Sequence, residues 1–71
     1  MASQSDLILD ALKAANGEWV PMPELARMGE TLNVHTRIDE LRHQRGLSIE
    51  NKLQRDPFNP RRKLSFYRLP I

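Results

Sequence analysis

The side chains in this sequence best suited to chemistry are cations, and the chemistry they suit is anion binding. Lys52, Arg55, Arg61, Arg62 and Lys63 fall within residues 51–63, where Asp56 is the only carboxylate, a net of +4. Ammonium and guanidinium groups at that density neutralise phosphates and release condensed counterions. Upstream, His35, Thr36, Arg37, Arg42 and His43 fall within nine consecutive positions, 35–43. A guanidinium can fork onto the O6 and N7 acceptors of guanine, and hydroxyl and imidazole groups can also reach base edges. The charge is polarised along the chain. Residues 32–71 carry nine cationic side chains against four carboxylates, and residues 1–31 carry two against five. The overall +2 therefore hides a +5 pole and a −3 pole. A basic pole attracts a polyanion, most simply double-stranded DNA, with structured RNA as the other polyanion it admits.

Other chemistries find no support in the sequence. There is no Gly-rich phosphate loop, no HExxH, no carboxylate pair in a plausible cleft, and no Ser or Thr with an evident base. A chain of 71 residues rarely builds a pocket that excludes water, so no enzyme is expected. His35 and His43 stand eight apart with no cysteine in the chain, so neither a metal site nor a cofactor is expected. The lack of cysteine excludes disulfides and fits a reducing, cytoplasmic setting. No stretch approaches the ~20 apolar residues of a membrane span. The N-terminus has no apolar run behind a basic leader, so no signal peptide is expected.

The elements that position these cations follow from the apolar spacing. One small domain is expected over residues 1–71. Leu7, Ile8, Ala11, Leu12 and Ala15 share one helical face, predicting a helix over 6–15 with Ser5 as N-cap and Asn16-Gly17 as its stop. Glu18-Trp19-Val20 reads as a short strand that Pro21 and Pro23 prevent from extending, with Trp19 locking it onto the first helix. Pro23 opens a second, very short helix that Gly29 ends. Thr31 or Asn33 caps a third helix over about 34–45, with Val34, Ile38 and Leu41 inward and Gly46 as the residue that stops it. Residues 47–53 and 63–69 alternate with period two and predict an antiparallel hairpin. Pro57, Asn59 and Pro60 place a loop over 53–62 between them. Ser65, Tyr67 and Leu69 are expected to face inward toward Ile49, and Phe66 outward.

The order is thus α-β-α-α-β-β in an α+β chain. With Arg37-Ile38-x-Glu40-Leu41-Arg42, Gly46, Ile49-Glu50 and the closing Tyr67-Arg68-Leu69, the sequence resembles small winged helix-turn-helix domains of phage and prophage origin. The resemblance spans roughly residues 5–70 and rests on apolar spacing, the helix-ending glycine and the strand residues of the wing. It implies a three-helix core with a C-terminal β-hairpin wing and a role as a DNA-binding transcriptional regulator. The third helix would lie at the major groove, and residues 53–62 would form the wing. The connection from Gly29 to Asn33 is looser than the tight turn of the simplest helix-turn-helix proteins.

The competing structural readings are specific. Around the third helix, Thr36, Asp39, Glu40 and His43 lie opposite the apolar seam, so two carboxylates stand on the expected groove-facing stripe. Arg37–Glu40 and Asp39–His43 then read as surface pairs of about 0.2–0.5 kcal/mol each, with Glu40 orienting Arg37. Those carboxylates favour a rival function, a winged helix that docks on a protein without reading DNA. The cationic hairpin reads alternatively as a solvated tip guarded against edge-to-edge aggregation. Phe58 at that tip is expected to fold back on the hairpin rather than wedge into bases. The sequence has no evident dimerisation element, so the oligomeric state stays open.

Overall fold

The computed structural model describes residues 3–70. In chain order it contains α1 (Gln4–Ala14), β1 (Val20–Pro21), α2 (Met22–Met28), α3 (Val34–Gln44), β2 (Glu50–Asp56) and β3 (Asn59–Arg68). The predicted order α-β-α-α-β-β is therefore observed: three helices and one antiparallel sheet of strand order β1-β3-β2. No helix among the described residues is long and apolar enough to cross a membrane.

Helix α1 begins earlier than the apolar pattern predicts, and Ser3 rather than Ser5 is its N-cap. The reason is a capping box. The Asp6 N–H donates to Ser3 Oγ (3.1 Å) and the Ser3 N–H donates to Asp6 Oδ2 (3.3 Å), satisfying two otherwise orphaned donors. Ser5 instead lies buried inside the first turn, and its hydroxyl donates to the Glu40 carboxylate. The stop is as expected: Asn16 (φ 54°) and Gly17 (φ 87°) both take the left-handed backbone that ends a helix.

Strand β1 starts two residues later and ends one residue later than the predicted strand, because its register is set by β3: Val20 pairs with Tyr67 and Pro21 with Phe66. Proline is tolerated there because β1 is an edge strand. Helix α2 crosses α1 at Gly29, which caps it with an ordinary φ of −86°. A Cβ at Gly29 would lie 2.6 Å from Ile8 Cγ1, so a side chain there would force Ile8 or the helix crossing to shift. Thr31 Oγ1 accepts the Asn33 N–H (3.0 Å) before α3, while Asn33 occupies the N-cap position without a side-chain cap bond. Gly46 (φ 64°) stops α3 as predicted.

The hairpin is longer than the alternation predicts. Residues 47–49 are not strand, and the expected loop over 53–62 is strand through Asp56, a two-residue turn at Pro57 and Phe58, then strand again from Asn59. Asp56 Oδ1 accepts the Phe58 N–H (2.9 Å) and Asn59 Oδ1 accepts the Arg61 N–H (3.2 Å), so side chains tie down the turn. The register jumps from Arg55↔Lys63 to Asp56↔Asn59. Pro60, Arg61 and Arg62 thus form a bulge with no ladder partner, which is how a strand holds a proline here.

The core is one cluster, with Ile8, Leu9, Ala11 and Leu12 of α1, Leu25 of α2 and Val34, Ile38 and Leu41 of α3 at its centre. Ile49, Val20 and Tyr67 close it from the sheet side, and Leu69 packs against its margin as expected. No residue of β2 is buried, and Tyr67 is the only buried residue of β3. From Leu53/Ser65 to the turn the hairpin therefore projects beyond the body, by roughly 13 Å along the unbulged strand at ~3.3 Å per residue. The molecule is correspondingly elongated, 38 × 24 × 20 Å.

Trp19 does not lock β1 onto α1. Val20 takes the inward position against Tyr67, so Trp19 alternates to the outer face of the sheet. There Lys52 Nζ lies 4.7 Å, and Arg68 Cζ 4.5 Å, from the centre of its ring system. Phe66 shares that outer face, as predicted, half-buried beneath Lys52 at 5.3 Å.

Candidate nucleic-acid interface

On α3 the five predicted side chains divide into three groups. Arg37 and Arg42 are turned into the fold. Arg37 Nη1 pairs with Glu40 Oε1 at 3.2 Å, its side chain is 26% exposed, and its buried Nε has no protein partner. Arg42 donates from Nε (3.1 Å) and Nη2 (2.6 Å) to the Ile49 carbonyl and approaches Asp39 at 3.8 Å. It thereby ties α3 to the residue that leads into β2. Arg45, in line with the apolar seam, is bonded to Asp6 of α1.

His35 is exposed, but its Nδ1 hydrogen-bonds the hydroxyl of buried Tyr67, and the two rings meet edge-on at 5.7 Å and 67°. Burial pushes the Tyr67 phenol above the ordinary tyrosine range. This contact sets the N-terminal turn of α3 against the root of the hairpin. Thr36 and His43 remain exposed, two helical turns apart, with exposed Asp39 between them. Glu40 does not stand on this stripe. It is half-buried against α1 with Ser5, and Asp39 meets Arg42 rather than His43. The exposed stripe of α3 therefore carries one carboxylate, not the two expected from an ideal helical wheel. The Ser5 hydrogen bond and the Arg37 ion pair pull the longer Glu40 side chain off it.

On the hairpin, the ladder places Asn51/Tyr67, Leu53/Ser65 and Arg55/Lys63 on the face that continues from the core. Glu50/Arg68, Lys52/Phe66 and Gln54/Leu64 lie on the other face. Lys52 is thereby withdrawn from the tip into the aromatic stack on Trp19 and Phe66. Arg55 and Lys63 stand directly opposite one another, both exposed, and like charges at directly opposed positions destabilise a sheet. Arg61 and Arg62 project from the adjoining bulge. Among the described residues none of these four cations has a carboxylate within salt-bridge distance, whereas Arg27, Arg37, Arg42, Arg45 and Arg68 each have one. Asp56, the only nearby acid, has its carboxylate on the Phe58 N–H.

The tip also exposes apolar surface. Phe58 is 95% exposed and does not fold back as expected. Pro57 and the Asp56 bond fix its backbone at the turn, and its ring packs on neither face of the hairpin. Leu53 (63%) and Leu32 (99%), the latter in the α2–α3 connection, are exposed as well. Leu53 sits at an inward-facing position of the hairpin, so alternation alone gave no sign that it lies past the edge of the core. No family model, curated protein or solved structure matches this chain.

Proposed function

We propose that this chain is a small winged helix-turn-helix protein that binds double-stranded DNA as a phage- or prophage-type transcriptional regulator. The observation that carries the proposal is the Arg55–Lys63 pair with Arg61 and Arg62 beside it, four cations with no carboxylate partner among the described residues. The fold gains nothing from opposing Arg55 to Lys63, whereas a phosphate between them would remove the repulsion and release counterions. The element order supports a winged-helix reading: the cationic hairpin follows α3 and is joined to it through His35–Tyr67 and Arg42–Ile49.

In this mechanism the basic pole steers the protein to the duplex. The hairpin contacts the backbone or the minor groove through Arg55, Arg61, Arg62 and Lys63, and the Thr36–His43 stripe of α3 faces the major groove. Arg37 and Arg42 position α3 rather than read bases. A module of this size covers a small site, so specificity would come from a dimer, tandem sites or a second protein.

The test is a duplex titration across salt concentrations with Arg61→Ala and Arg62→Ala combined. The wild-type affinity falls steeply with salt, and the double variant lowers that slope by about two. A wild-type affinity indifferent to salt would overturn the proposal. The exposed Asp39 at the centre of the α3 stripe favours a second reading, a protein-docking module. That reading predicts no duplex binding even at low salt.

A further inference from the structure

We infer that Phe58 is a wedge that enters a base step of bound DNA and unstacks it, so that the target is a deformable step rather than an undistorted duplex. The inference rests on the DNA-binding reading above and adds the feature of the DNA that is recognised. Three observations carry it. Phe58 is 95% exposed at the outermost point of a hairpin that projects roughly 13 Å past Leu53, where no other part of the described chain covers it. Its backbone is fixed by Asp56 Oδ1 on its own N–H, by Pro57 before it, and by Asn59 Oδ1 on the Arg61 N–H after it. A rigid mount spares the ring the ordering cost of insertion. Arg55, Arg61, Arg62 and Lys63, none with a carboxylate partner among the described residues, flank Phe58 within five positions in the chain.

Those flanking charges select the occupant. An exposed apolar ring at a turn whose strands carry four unpaired cations matches an apolar base stack between two anionic backbones. It does not match the apolar core of a second copy, where those cations would be buried without partners. Inserted apolar side chains kink duplexes toward the major groove, and pyrimidine–purine steps such as TA yield most easily. The cations hold the flanking phosphates while the ring enters the step from the minor groove.

The experiment uses the full chain and a duplex carrying 2-aminopurine at a central TA step. Its fluorescence rises when the base is unstacked. Wild type is expected to raise the emission on binding. Phe58→Ala should abolish the rise and weaken binding about five- to a hundredfold, the range for losing one aromatic–base contact, with the salt slope unchanged. Phe58→Trp should restore the rise. An exposed residue is a safe site for these changes, and a circular dichroism spectrum identical to wild type checks the fold. Binding that is salt-dependent but leaves the emission flat, with Phe58→Ala equal to wild type, overturns the wedge while the phosphate contacts stand. No binding by wild type at low salt overturns both.

Discussion

Arg42 separates a cation used by the fold from one used by a ligand, and Arg42→Ala measures the difference. Its guanidinium makes two hydrogen bonds to one carbonyl, that of Ile49, at the joint between α3 and the hairpin. A charge-assisted hydrogen bond contributes about 1.5–3 kcal/mol. The side chain is 35% exposed, which moves the expectation to the lower part of that range. The 3.8 Å approach to Asp39 adds only a few tenths of a kcal/mol at an exposed site. The expected loss is about 2 kcal/mol, which for a domain of this size lowers the melting temperature by about 10 °C. Arg42→Lys keeps the charge but cannot reproduce the fork, so most of the loss should remain. Thermal unfolding supplies the first number and duplex binding across salt supplies the second, with the slope expected to match wild type in both variants. Unchanged stability together with a slope reduced by about one would make Arg42 a phosphate ligand and refute its role as a joint.

Two further changes probe the scaffold. Gly29→Ala puts a Cβ 2.6 Å from Ile8 Cγ1 at an ordinary φ, so the penalty is steric and about 1–3 kcal/mol. It should lower the denaturant midpoint with an unchanged m-value, and an unaltered midpoint would mean that Ile8 simply moves aside. Tyr67 is the only tyrosine, and burial raises its phenol pKa, so an ultraviolet titration should show ionisation later than in free tyrosine. Because the fold favours the neutral phenol, stability is complete below the ordinary tyrosine range and declines as pH rises through the folded-state value. Tyr67→Phe should remove that decline and cost about 0.5–1.5 kcal/mol for the lost His35 bond. A normal titration in the native protein would contradict the burial of the ring.

The helical periods and their stops were legible because they are local. Val34, Ile38 and Leu41 are buried as their spacing requires, and Asn16, Gly17 and Gly46 take the backbone angles that only a few residue types accept readily. Ser3 was equally legible, since Ser3-x-x-Asp6 is itself a capping signature, but the apolar pattern beginning at Asp6 drew the boundary two residues late. The loop assigned to 53–62 followed from three residues that disfavour strands. It missed that Asp56 and Asn59 can satisfy turn donors with their side chains and that a bulge can hold Pro60.

By itself the sequence determined the order of elements, the core face of each helix and the polarity of charge, because each depends on residue type and on a period of a few residues. Tertiary structure alone decided which cations are free. Arg37 is paired within its own helix, and Arg42 and Arg45 reach partners seven and 39 residues away in the chain. Lys52 is withdrawn from the tip by an aromatic stack whose members, Trp19 and Phe66, lie on two other strands or their approaches. The same distinction separates Leu53 from Tyr67. Both sit on the inward face of the hairpin, but that face has helices behind it at Tyr67 and none at Leu53. A strand's alternation records which side a residue faces, and only the packed chain determines whether anything is there to meet it.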